Sequence, residues 1–141
     1  MVSTASFFCI AIAVFHLGDC AKQTAGVRGV LMCGNVPAQN VKVKLYDDDT
    51  GPDLDDMMAE GTTDSLGQFL LHGTASELLT IDPKLNIYHD CEDGKPCQRK
   101  VSIHLPKSYV IKDRESPSHY FDIGILNLEG EFEGEERDCI H

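Results

Sequence analysis

The chain has 141 residues, 42% of them hydrophobic, with 12 basic and 23 acidic side chains and a formal net charge of −11. That length holds one domain rather than two, and that charge repels nucleic acid and anionic membrane, which excludes a nucleic-acid partner. No apolar run reaches 18 residues, so no transmembrane segment is expected, and no asparagine begins an N-glycosylation sequon.

In chain order, the first feature is the uncharged run Phe7–Phe15. It is too short to span a bilayer but suits the apolar region of a secretory signal peptide. Cleavage after Cys20, with small Gly18 third back, gives a signal over 1–20 and a domain over 21–141; cleavage after Gly26 also fits. Removing residues 1–20 takes away a single acid, Asp19, and no base. It leaves Cys33, Cys91, Cys97 and Cys139, an even set for an oxidising compartment. The expectation is a secreted, extracellular, disulfide-stapled protein.

After the signal, period-two alternation dominates. Val27, Gly29, Leu31 and Cys33 alternate with Arg28, Val30 and Met32 in a first strand, and Val41, Val43 and Leu45 with Lys42, Lys44 and Tyr46 in a second. The acidic stretch from Asp47 to Asp56 follows, with carboxylates at Asp47, Asp48, Asp49, Asp53, Asp55 and Asp56 and a Gly51-Pro52 turn. Calcium takes six to eight oxygens, so this loop is a candidate Ca²⁺-binding or ligand-binding loop, although its spacing is not that of an EF-hand. The alternative is a solvated loop whose Asp residues cap the helical turn expected over 54–59. No other cofactor or metal site is expected.

Gly61–Thr63 and Gln68–His72 flank a hairpin turn over 64–67. Lys84–Asp90 and Gln98–Leu105 flank the Asp93-Gly94 turn. With Cys91 opposite Cys97, His89 faces Arg99, Ile87 faces Val101 and Leu85 faces Ile103. Leu85, Ile87, Val101, Ile103 and Leu105 then form a core face. Asn86, Tyr88, Asp90, Lys100, Ser102 and His104 form a solvated one, where Tyr88 and Lys100 make a cross-strand pair. Tyr120–Leu128 is the last clear strand. Phe121, Ile123 and Ile125 point inward, and Leu126 and Leu128 break the alternation, which implies a bulge or a partner on that side. Leu126, Leu128 and Phe132, with Ile140 and the Met57-Met58 pair, are a candidate partner surface unless they pack over the sandwich edge. The acidic, Gly-containing segment 129–136 disfavours a further strand.

Several blocks resemble the nematode transthyretin-like family. They are Val41–Asp49, Leu54–Gly61, Ile81–Cys91, Lys95–Lys100 and Phe121–Leu128, closed by Arg137-Asp138-Cys139. The resemblance covers the whole chain after the signal. It implies an all-β fold, a transthyretin- or prealbumin-like Greek-key β-sandwich of about seven strands, exported from the cell. In that topology the first, fifth and last strands run the same way, which gathers the four cysteines at one pole. Among the three possible pairings it favours Cys33–Cys97 with Cys91–Cys139.

The same fold hosts a hydroxyisourate hydrolase that relies on a C-terminal Tyr-Arg-Gly-Ser, His and Arg. Here the chain ends Arg137-Asp138-Cys139-Ile140-His141, and that tetrapeptide is missing. The pair His89 and Arg99 then reads as a polar plug, and no enzyme activity is expected. A Cys-His metal site with His89 and His141 is a minor alternative, because secreted thiols oxidise. The family's members suggest extracellular signalling and lipid-surface recognition. The expected function is therefore a secreted, non-enzymatic binding or adaptor module for an extracellular protein, cell-surface or lipid ligand, acting as a monomer or dimer. The rival is an oligomeric carrier of a small hydrophobic ligand.

Overall fold

A computed structural model describes residues 21–48 and 55–141. The signal-peptide reading of residues 1–20, and Asp49, Asp53 and Leu54 of the acidic stretch, lie outside the described residues. The described chain forms two packed antiparallel-rich sheets, the β-sandwich that the sequence predicts.

The first sheet centres on β1 (Ala21–Cys33), which is flanked by β5 (Gln68–Glu77) and by β9 (Phe121–Asn127). Two short strands, β2 (Val36–Pro37) and β8 (Ile111–Lys112), also pair with β1. The pairing of β1 with β9 is parallel, which brings the first and last long strands side by side. The second sheet runs in the order β10 (Glu136–Asp138), β7 (Gln98–His104), β6 (Pro83–His89), β3 (Lys42–Asp47) and β4 (Asp56–Thr62).

The alternating inward residues meet between the sheets. Val27 and Leu31 of β1, Val43 and Leu45 of β3, and Leu85 and Ile87 of β6 are fully buried, joined by Phe69, Leu71, Val101 and Leu105. At roughly 1.5–3 kcal/mol for each large aliphatic side chain, this layer is the main stabilising term. The β6–β7 register is the expected one, with His89 opposite Arg99, Ile87 opposite Val101 and Leu85 opposite Ile103.

Several expectations fail for identifiable reasons. The helical turn over 54–59 is not formed: Asp56 to Ala59 belong to β4, because the edge of β3 offers a full ladder from Lys42 to Asp47. Tertiary pairing here overrides a weak local preference. A short edge strand, β10, follows the acidic segment and pairs Arg137 with Arg99. Asn86 and Tyr88 are buried, not solvated, with Tyr88 only 3% exposed. Tyr88 does lie opposite Lys100 in the register, as expected. His141 stacks on its ring with centroids 4.8 Å apart, and the cation over the ring, at 5.5 Å, is Lys44.

The last strand carries the bulge expected from its broken alternation. Against β1 the register passes from Arg28–Asp122 to Val30–Ile125, which inserts one extra residue in β9. Gly124 sits there at φ +74°, and its N–H donates to Asp122 Oδ1 at 2.8 Å. That left-handed conformation favours glycine. After the bulge the faces exchange: Ile125, expected inside, is 75% exposed, while Leu126 turns inward.

Candidate functional site

Three regions of the sandwich carry chemistry: a disulfide pole, an acidic pole and the outer face of the first sheet.

At the disulfide pole all four cysteines gather as expected, but in a different pairing. The bridges are Cys33–Cys91 and Cys97–Cys139, not Cys33–Cys97 and Cys91–Cys139. The reason is β10. Its register places Asp138 against Gln98, so Cys139 arrives beside Cys97, with Cα atoms 4.5 Å apart. The end of β1 is then left to close on Cys91, at a Cα separation of 5.7 Å. Because Cys91 and Cys139 are bonded to other cysteines, the minor reading of a Cys-His metal site at this pole is not supported.

Beneath the bridges lies Arg99, whose guanidinium donates to the carbonyls of Cys91 at 2.9 Å, Leu128 at 3.0 Å and Gly130 at 2.6 Å. It also forms a two-point ion pair with the Glu135 carboxylate. Glu135 holds Arg99 firmly charged, and Arg99 holds the Glu135 carboxyl below its ordinary value. The neighbouring His89 accepts a hydrogen bond from the Cys91 N–H at its Nδ1, 3.0 Å away. Burial, assisted by the Arg99 charge, pushes the His89 imidazole down from its ordinary value and keeps it neutral. Burial also pushes the Tyr88 phenol up to about 12.

The acidic pole lies at the other ends of β3 and β6. Asp47 is buried, and its Oδ1 accepts from the Asp82 N–H at 3.0 Å. Burial raises the Asp47 carboxyl above its ordinary value, and Asp56, Asp82 and Asp48 add to that rise. One carboxylate oxygen each from Asp47, Asp56 and Glu77 converge within 4.8 Å, and Asp48, Asp82 and His104 form a second such group. Lys84 bridges Asp48 at 3.3 Å and Asp55 at 2.8 Å. Burial alone would lower the Lys84 ammonium, but these two bonds raise it on balance. Thus Asp47 and Asp56 meet Glu77 in one group and Asp48 meets Asp82 and His104 in another, while Asp55 is held by Lys84.

Of the candidate partner surface, Leu126, Leu128 and Phe132 pack over the sandwich edge, the alternative that the sequence left open, whereas Met57 and Ile140 are exposed. Leu128 is fully buried, its N–H donating to Met32 O at 2.7 Å, and Leu126 and Phe132 pack partly buried against the core. Two further exposed apolar residues, Leu70 and Ile125, lie on the outward face of β5–β1–β9. Leu70, 61% exposed, pairs in register with Arg28, and Ile125 pairs with Val30. Arg28 Nε meets Asp122 Oδ2 at 3.2 Å between them. Arg28, Val30, Gln68, Leu70 and Asp122 line a shallow depression of about 330 Å³. Leu70 follows the alternation of β5, so strand phase alone could have found it. Ile125 was hidden by the bulge.

Comparison with known proteins agrees with this architecture. The profile of the transthyretin-like family matches residues 28–106. The chain belongs to that family. Transthyretin-like protein 33 of Caenorhabditis elegans is 68% identical over 120 residues, covering 84% of this chain and 83% of the relative. Transthyretin-like protein 5 of the same species is 54% identical, covering 84% and 86%. Transthyretin-like protein 46 is 46% identical over 136 residues, covering 94% and 75%. A solved 9R-lipoxygenase from Cyanothece overlaps 75% of this chain and 16% of its own at 20% identity and a TM-score of 0.42, too loosely to inform either fold or function.

Proposed function

We propose that this transthyretin-like chain is a secreted extracellular binding module, without catalysis of its own, that docks a protein or cell-surface partner. The outward face of β5–β1–β9 carries the reading: Leu70 is exposed beside Arg28, and Ile125 is exposed one row along beside Val30, next to the Arg28–Asp122 pair. Exposed apolar side chains with polar and charged neighbours at their margin occur at recognition surfaces. Two disulfides support an oxidising, extracellular setting. The engagement of His89 Nδ1 and of every Arg99 nitrogen in structural bonds argues against hydrolysis by that pair.

The acidic pole adds a cation-dependent branch to the proposal. The all-oxygen set of Asp47, Asp56 and Glu77 suits Ca²⁺, which would let an acidic protein approach an anionic lipid surface. Vesicles containing phosphatidylserine should then retain the protein in millimolar Ca²⁺ and release it in chelator; equal retention in both removes this branch.

The main reading is tested with Leu70→Asp and Ile125→Asp, using labelled protein and dissociated nematode cells. Each substitution should lower surface binding at least tenfold, while Lys107→Ala leaves it unchanged. Light scattering and native mass spectrometry on the same samples should give a monomer or dimer. A stable tetramer carrying co-purified lipid would overturn the proposal in favour of a hydrophobic-ligand carrier.

A further inference from the structure

At the disulfide pole, the turn between β2 and β3 crosses the end of β6 and leaves a cleft of about 250 Å³. Its walls include Gln39, Asn40, Tyr88, His89 and Gln98, over a floor formed by the Cys33–Cys91 bridge and Leu128. Two buried side-chain atoms of these walls have no hydrogen-bond partner among the described residues: His89 Nε2 and Gln98 Oε1. Each unpaired atom is expensive, at roughly 1–3 kcal/mol, and native proteins rarely retain one without a use.

The surrounding bonds define what each atom offers. His89 Nδ1 accepts from Cys91 N–H, so the ring proton sits on Nε2, which is an unused donor. Gln98 Nε2 donates to Asp90 Oδ2 at 2.9 Å, which leaves Oε1 as an unused acceptor. Two residues that line the cleft therefore hold, beneath its surface, one unused neutral donor and one unused neutral acceptor. No Lys or Arg lines it, and Asp90 does, so it is unsuited to an anion.

We propose that this cleft binds a single neutral sugar ring, one hydroxyl accepting from His89 Nε2–H and its neighbour donating to Gln98 Oε1. A hydroxyl both donates and accepts, so a vicinal pair complements these two atoms in either order. The ring's C–H face rests on Leu128, Val41 and the disulfide. The volume lies below the roughly 300–1,000 Å³ of pockets for drug-sized ligands and suits a single ring. Both atoms are buried, so a ligand reaches them only if the cleft wall yields, and Gln39 and Asn40 are exposed members of that wall. This site is separate from the outward face of β5–β1–β9, so either can fail without the other.

The test is a ¹H–¹⁵N NMR titration of the disulfide-intact protein with glucose, galactose and N-acetylglucosamine, with urea and acetamide as neutral amide probes. At least one sugar should give saturable shifts confined to Asn40, Cys91 and Gln98 and slow exchange of the His89 Nε2 proton. Gln98→Leu and His89→Gln should each weaken that response at least tenfold, and Ile125→Ala should leave it unchanged. Asp90→Ala, an exposed change that releases the Gln98 amide from its partner, serves where a buried substitution does not fold, and should weaken binding about threefold. Shifts that never saturate, that spread over the surface, or that appear with the amides and with no sugar overturn the proposal.

Discussion

Arg99→Ala is the most demanding test of how the C-terminal segment is held. The side chain is nearly buried and meets three carbonyls and the Glu135 carboxylate. Removing it strands that carboxylate and leaves the carbonyls of Cys91 and Leu128 without their donor in the interior. Breaking a buried ion pair costs about 3–5 kcal/mol. Gly130 lies at an exposed turn and recovers water, so the middle of that range, about 4 kcal/mol, is expected. Urea unfolding of the non-reduced protein measures it: with a slope of about 1–3 kcal/mol/M, the midpoint should fall by about 2 M. Arg99→Lys keeps the charge but loses the planar fork, and should lose about half as much. The effect should also depend on pH. Because Arg99 depresses the Glu135 carboxyl below its ordinary value of 4.5, the stabilisation is present above that value and is lost as pH falls through the folded one. The gap between wild type and Glu135→Gln should be full at pH 7 and shrink below about pH 4. A loss under about 1 kcal/mol for Arg99→Ala, or a gap identical at pH 7 and pH 3, refutes the reasoning.

Other outcomes follow from the same geometry. Non-reducing peptide mapping should recover Cys33–Cys91 and Cys97–Cys139, and Cys97→Ser with Cys139→Ser should cost about 4 kcal/mol in the chain-entropy treatment. Leu128→Ala should destabilise by about 2–5 kcal/mol, whereas Ile125→Ala should stay within about 0.5 kcal/mol in urea unfolding. His89 is held neutral, so as pH falls through 6.5 the unfolded chain takes up a proton that the folded chain resists; stability should decline there, and His89→Gln should flatten that slope. Asp47→Asn should raise the calcium-free melting temperature at pH 7 by a few degrees, since the raised carboxyl is costly once ionised, and millimolar Ca²⁺ should narrow that difference by stabilising the wild type.

The hairpin register and the core face of β6 and β7 were legible because strict alternation admits one phase, and a one-residue slip would expose every apolar side chain. The gathering of the cysteines was legible from the family topology, but the pairing was not. It depends on β10, three residues whose Glu, Arg and Asp side chains carry no strand signal. That strand is held by Arg137, which reaches Asp93 at 2.7 Å and Pro96 O at 2.9 Å, contacts between residues far apart in the chain. Tyr88 was misplaced for a related reason, since the ring that covers it belongs to the last residue. The outward swing of Ile125 hung on Gly124, whose bulge could be suspected but not positioned. The carboxylates of the acidic stretch were easily seen, whereas their convergence with Asp82 and Glu77 is a product of strand pairing.

The two bridges also define how the sandwich would bear tension between Ala21 and His141. A pull applied at Ala21 and His141 travels along β1 to Cys33, crosses to Cys91, runs to Cys97, and leaves through Cys139. Everything between residues 34 and 90, and between 98 and 138, sits in side loops that carry no load. Fully stretched at about 3.5 Å per residue, the oxidised chain from Ala21 to His141 would reach only about 80 Å end to end, against roughly 400 Å once reduced. The four cysteines therefore act as a mechanical short circuit. Both strands of the β6–β7 hairpin, β5 of the outward face and the whole acidic pole are shielded from force, and only β1 is left to be drawn from its sheet.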